Sequence, residues 1–144
     1  MSADADFFLI IDRSNRRIQD QLKIRCYRGA NALRNAALDI LAGQRSGKRY
    51  YIPGTKTKYS ASVGGQPPAV RTGTFRNSWI ATGRVTGHAF ISRIESRVAV
   101  SNGHLLGDYL EHGTGRMAAR PHQERIRQRA LPEIQRIYQE PYLR

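Results

Sequence analysis

The chain has one cysteine, Cys26, in 144 residues. No internal disulfide can form, so the fold rests on packing alone, as suits a reducing compartment. Hydrophobic runs are short: Phe7-Phe-Leu-Ile-Ile11 falls far below the roughly 20 residues that span a bilayer. Asp4 and Asp6 precede it, which does not suit a signal peptide, so the chain is expected to be made in the cytoplasm with no membrane partner. Walker loops, Gly-x-Ser-x-Gly elbows and Cys-x-x-Cys pairs are all absent. Acids are few and scattered, with no second cluster of carboxylates to hold a nuclease metal.

Eleven acids face 24 bases, and all but four of those bases are arginine, giving a formal net charge of +13. Such a surface attracts polyanions or acidic proteins, less so at high salt. The preference for arginine over lysine points to bidentate pairing with carboxylate or phosphate, since lysine would serve solubility equally well. The bases concentrate in one stretch. From Arg45 to Arg76 lie Arg45, Lys48, Arg49, Lys56, Lys58, Arg71 and Arg76 with no acid, interleaved with Tyr50, Tyr51, Tyr59 and Phe75. Basic and aromatic residues so mixed serve either as anchors in a protein interface or as phosphate contacts and stacking platforms for nucleic acid. No zinc finger, helix-turn-helix or ribonucleoprotein motif supports sequence-specific reading.

By length the chain is expected to form one domain over residues 1–144 with one modest core. Ser14 offers an N-cap for a helix running to Ala42 or Gly43, with Ile18, Leu22, Cys26, Leu33, Ala37 and Leu41 on one face. Cys26 then reads as a small core side chain. About 28 residues at 1.5 Å each make a rod of roughly 42 Å, longer than this domain needs, so part of it is expected to reach a neighbour. Gly29 marks a close crossing. Phe7–Ile11, Ser78–Gly83, His88–Arg93 and Ser96–Ser101 read as strands of one small antiparallel sheet, with Val98 and Val100 sharing a face. Near the C-terminus, Pro121 suits a first helical turn, and Ile126, Ala130, Ile134 and Ile137 form the apolar stripe that follows. Pro132 predicts a kink or break, and residues 140–144 a loosely held tail. The fold class is α+β: a long N-terminal helix and a kinked C-terminal helix on a small sheet, with an ordered basic loop over about 44–72.

Two loops stand out. In Tyr59-Ser-Ala-Ser-Val-Gly-Gly-Gln-Pro-Pro-Ala-Val-Arg-Thr-Gly-Thr-Phe-Arg-Asn-Ser-Trp79, Gly64, Gly65, Pro67 and Pro68 forbid regular structure. Thr72 and Gly73 then introduce a short helix that carries Phe75, with Ser78 and Trp79 beyond it. In Asp108-Tyr-Leu-Glu-His-Gly-Thr-Gly-Arg-Met-Ala-Ala-Arg-Pro121, one or two helical turns end at Gly113, and Thr114 bonds to nearby main chain. The spacing of His104, Asp108, Glu111 and His112 raises a metal site, and with it a hydrolase, but Gly107 interrupts the segment. A helix end held by ion pairs is the reading preferred.

The order and spacing of these loops resemble the paired signature of the neck and tail-completion proteins of long-tailed bacteriophages. The similarity covers about Tyr50 to Arg144, on Gly64, Gly65, Pro67, Pro68, Thr72, Gly73, Ser78, Trp79, Tyr109, Glu111, Gly113, Thr114, Arg120 and Pro121. Phe75 departs from an aliphatic residue usual there and His122 from an aromatic one, each keeping a bulky ring. The resemblance implies a non-enzymatic virion protein with no cofactor and no metal. It also implies a homo-oligomeric ring, hexamer or dodecamer, at the junction of head and tail, in contact with other neck and tail proteins and with packaged DNA. It makes Glu111 structural, paired with Arg116 or Arg120. The alternative is a non-specific nucleic-acid-binding protein that uses residues 45–76.

Overall fold

The computed structural model describes residues 3–87 and 89–143, so His88 and Arg144 lie outside the described residues. The fold is α+β. In chain order it runs α1 (Ala3–Ala42), β1 (Arg49–Tyr51), β2 (Lys58–Ser60), α2 (Thr74–Asn77), β3 (Ile80–Thr86), β4 (Ala89–Glu95), α3 (Leu106–His112) and α4 (Gln123–Gln139). Both sheets are two-stranded and antiparallel, one pairing β1 with β2 and the other β3 with β4.

The long helix exceeds its expected length. Ser14 is not a cap, and Phe7–Ile11 is helical rather than a strand. The reason is continuity: no glycine occurs before Gly29 and no proline before Pro53, so nothing stops the helix, and an Asp12–Arg16 pair at 2.8 Å supports it. Forty residues make a rod of about 60 Å. Its first turns project from the body: no residue from Ala5 to Ile24 is buried, and Arg17 and Gln21 are the first to approach the C-terminal segment.

The second half is the spine. Ala36, Ala37 and Leu41 of α1 bury against Trp79 and against Ile126 and Ala130 of α4, with Leu33, Ile40, Phe75, Ile94 and Ile134 around them. The β3–β4 hairpin crosses α1 where side chains are smallest. A Cβ on Gly29 would stand 2.8 Å from Ser92 Oγ, and one on Gly83 would stand 3.0 Å from the Tyr27 ring. Ser92 Oγ donates to the Cys26 carbonyl at 2.7 Å, and the buried Cys26 thiol donates to the Ile91 carbonyl at 2.9 Å. The crossing expected at Gly29 is therefore present.

Other expectations need correction. Ser96–Ser101 keeps its alternation, with Val98 and Val100 partly covered and their neighbours exposed, yet it adds no strand to β3–β4. Its backbone turns back at Asn102-Gly103, where Gly103 has φ 84°, and bonds to His104 and Leu106 instead. Pro132 does not break α4, because Leu131, Pro132 and Glu133 all face solvent while Ile126, Ala130 and Ile137 hold both halves against α1. A carbonyl left free on the wet side costs little. Pro121 precedes α4, which begins at Gln123 with His122 as N-cap.

The C-terminal segment is anchored rather than loose. Arg25 donates to the carbonyls of Tyr138, Glu140 and Pro141 at 3.3, 2.6 and 2.7 Å, and lies 3.7 Å from the centre of the Tyr142 ring. Arg28 forms a bidentate pair with Glu140 at 2.7 and 2.8 Å. Hydrogen bonds from Arg28, with the nearby charges of Arg28, Arg25 and Arg136, pull the Glu140 carboxyl down to about 2. A depressed carboxylate stabilises the fold above its unfolded value, about 4.3, and the contribution disappears as pH falls toward 2. A carboxyl-carbon NMR titration is expected to place the Glu140 midpoint near 2 and to return it toward about 4.3 in Arg28→Ala.

Candidate interface: a basic ribbon and an arginine-rimmed groove

The basic loop contains a ribbon that the sequence pattern did not reveal. Arg49, Tyr50 and Tyr51 pair with Ser60, Tyr59 and Lys58, and Gly47 and Ala61 extend the ladder by backbone bonds at its base. Gly47 is obligatory there, because a Cβ would stand 2.3 Å from the Ala61 carbonyl oxygen. At the tip, Ile52 and Thr57 close a turn through Pro53 and Gly54, the latter with φ 76°. Short strands with three-residue pairing carry little periodic signal, which is why composition read them as loop.

The ribbon presents cation and ring together. Lys58 Nζ sits 4.6 Å from the Tyr51 ring centre and Lys48 Nζ 5.7 Å from that of Tyr50, while Tyr50 and Tyr59 rings lie 6.3 Å apart. Tyr51 is 61% exposed, and Lys48, Arg49, Lys56 and Arg71 are exposed as well. Two of the expected contact residues turn inward. Arg45 donates to the carbonyls of Ile40, Pro67 and Pro68, and Arg76 to that of Leu38. Burial, with the charge of Arg125, lowers the Arg45 guanidinium below its ordinary value. These two brace the loop against α1, whereas the ribbon carries the outward charge.

The two signature loops meet. The Gly65 N–H donates to the Ala119 carbonyl at 3.0 Å, and a Cβ on Gly64 would touch the Ala118 methyl at 3.0 Å. Arg125 donates to the Gly65 carbonyl at 3.0 Å, and Pro67 and Pro68 are buried beneath. Thr72 and Thr74 hydroxyls bond at 3.0 Å, and Gly73, with φ 82°, starts α2 without a side-chain cap. Ser78 Oγ donates to the Phe75 carbonyl at 2.7 Å and lies 2.6 Å from Ser96 Oγ. Gly113 ends α3 with φ 76°, as expected, and its missing Cβ would stand 2.8 Å from both the Met117 carbonyl oxygen and the Ala119 nitrogen. Thr114 and Met117 close the following turn, and Thr114 Oγ1 accepts from the Arg116 N–H at 3.3 Å.

Glu111 pairs with neither Arg116 nor Arg120. Its Oε2 accepts from the His122 and Gln123 backbone N–H groups at 2.9 and 3.1 Å, so it satisfies the start of α4, where a carboxylate also complements the helix dipole. His122 Nδ1 stands 3.0 Å from Glu111 Oε2 and 3.0 Å from the Arg120 carbonyl oxygen. Both neighbours accept, so Nδ1 carries the proton. The His122 ring packs edge-on against Phe75 and Trp79, in the place where the resemblance expects an aromatic. Tyr109 accepts from Asn102 at 3.1 Å and stacks near His104, which lies outside α3. Among the described residues no three His, Cys, Asp or Glu side chains gather as metal ligands would.

Between the loops opens a groove of about 430 Å³ that no sequence pattern announced. Leu41, Val70, Phe75, Leu106, Leu110 and Met117 line it, and Arg71, Arg76 and Arg120 stand at its rim. Apolar residues at loop positions, Val70 and Met117 above all, were the signal that could have exposed it.

Set beside family models, curated proteins and solved structures, the chain matches none. No helix among the described residues is long and apolar enough to cross a membrane.

Proposed function

We propose that this chain is a structural virion protein of the bacteriophage head-tail junction, assembling as a ring of six or twelve copies that joins the capsid connector to the tail tube. The observation that carries the reading is a surplus of contact-ready surface: a protruding basic and aromatic ribbon, and the solvated apolar turns of α1. Apolar side chains left exposed in such a group mark surfaces that partners cover. The signature loops add to this through their likeness to neck and tail-completion proteins, and they fold here as one hydrogen-bonded unit. The protein acts by filling and gripping, and it needs no cofactor. Its positive charge repels other copies unless acidic partners or packaged DNA offset it. Deleting the gene from the encoding phage is expected to yield separate heads and tails, restored to joined particles by the gene in trans. Normal joining without the protein would overturn the reading.

The ribbon favours one further reading, non-specific binding of nucleic acid, because its lysines sit over exposed tyrosine rings. Neutralising Lys48, Arg49, Lys56, Lys58 and Arg71 to glutamine separates the two. Each lost phosphate contact reduces the slope of log affinity against log salt by about 0.9 on duplex DNA. Under the structural reading the variant fails to enter particles. If it loses steeply salt-dependent DNA binding yet enters them normally, nucleic-acid binding is the better description.

A further inference from the structure

We propose that the N-terminal turns of α1 dock head to tail in the arginine-rimmed groove of a second copy of this chain. The inference deepens the ring reading and rests on it.

The arm has no covering of its own. Phe7, Phe8, Leu9, Ile10 and Ile11 occupy every side of the helix and are 40–68% exposed. A helix apolar all round is stable only when something encloses it. The groove is apolar on its walls, and its Val70 is exposed. Charge matches as well as polarity. The acids Asp4 and Asp6 precede any base in the chain, while Asp12 is paired with Arg16 at 2.8 Å, so the acidic character of the arm lies at its first turns. Arg71, Arg76 and Arg120 line the receiving groove; Arg76 Nε already donates to the Leu38 carbonyl, Arg71 is exposed, and among the described residues none of the three is paired with a carboxylate. Arg120 Nη1 is buried without a hydrogen-bond partner. An acidic, apolar helix against an apolar slot rimmed by guanidiniums is the helix-in-groove mode of recognition.

The occupant cannot be the chain's own arm. Leu41 lines the groove at one end of α1, and Ile11 lies thirty residues away along the same helix, about 45 Å. The arm cannot fold back over that distance without breaking the helix. Each chain therefore offers an arm at one pole and a groove at the other, which is a heterologous contact, and such contacts propagate into a closed ring or an open filament.

Disulfide trapping between differently substituted copies tests this. Phe8→Cys and Val70→Cys are made in separate chains; both sites are exposed, and the native Cys26 is buried and inert. Mixed under mild oxidation, the pair is expected to give a Phe8→Cys to Val70→Cys link that neither chain gives alone. In parallel, a fluorescent peptide of residues 3–17 is expected to bind the full chain, with Val70→Asp weakening it at least tenfold and Phe8→Asp in the peptide doing the same. Links only between Phe8→Cys copies would mean that arms pair with arms, and the proposal falls. No cross-link and no peptide binding also overturn it. Gene deletion reads the ring assignment separately: unjoined particles together with a failed cross-link would discard the docking and keep the structural role.

Discussion

Trp79→Ala is expected to lower stability by about 3–5 kcal/mol, as large-to-small changes at buried aromatics do. Trp79 is 8% exposed and sits at the centre of a ring cluster, 5.6 Å from Phe75 and 6.0 Å from His122, where it also meets Leu41 and Ile126 across α1 and α4. Removing it leaves a cavity where the two long helices, α2 and the start of β3 converge, while Arg34 still holds the Trp79 backbone in place through its carbonyl at 2.9 Å. Against a typical total of about 5–15 kcal/mol, this change brings the fold near its limit. Trp79→Phe is expected to cost less than half as much. It keeps a ring in place and removes a buried Nε1–H that has no partner among the described residues. Urea titration by circular dichroism reads both as shifts of midpoint at constant slope. A loss below about 1 kcal/mol for Trp79→Ala would show that the joint between the helices does not depend on this cluster.

That cluster was partly legible in the sequence and partly not. The stripes Ile18–Leu41 and Ile126–Ile137 were readable because helical periodicity is local; the structure buries Cys26, Ala37, Leu41, Ile126, Ala130 and Ile137, whereas Ile18 and Leu22 lie beyond the body and stay only partly covered. The extension of α1 to Ala3 was open to the same reasoning through the absence of glycine and proline, but a run of β-favouring residues at Phe7–Ile11 argued the other way. Propensity lost because the helix behind was already nucleated and each added residue gained a hydrogen bond. Long-range chemistry was hidden. Glu111 reaches the backbone of His122 and Gln123 because Gly113 turns the chain, whereas the sequence pointed to an ion pair with Arg116 or Arg120. The groove is assembled from α1, β2, both loops and α3, so no single window of sequence contains it. Of the expected contact residues, Arg45 and Arg76 face inward, where carbonyls of Pro67 and of Leu38 accept their N–H groups.

Arg25→Ala is expected to cost about 3–5 kcal/mol, comparable to breaking a buried ionic contact, although Arg25 touches no carboxylate directly. The residue is 1% exposed and holds three main-chain carbonyls and one aromatic face, so its loss releases the segment from Tyr138 to Tyr142 at once. Hydrogen bonds from a charged donor contribute about 1.5–3 kcal/mol each, discounted because they share one guanidinium. Truncation after Gln139 is expected to be costly for the reciprocal reason: it removes two of the three carbonyl acceptors of Arg25 and the Tyr142 ring that covers it. The pair of changes distinguishes this latch from ordinary packing. Residues that act as a unit are not additive, so Arg25→Ala in the truncated chain is expected to cost far less than in the full chain. Thermal and urea unfolding of all four proteins closes the cycle. If the two losses simply add, the contacts between Arg25 and the C-terminal carbonyls contribute nothing together, and residues 140–143 are held by the pairing of Glu140 with Arg28 and Arg136.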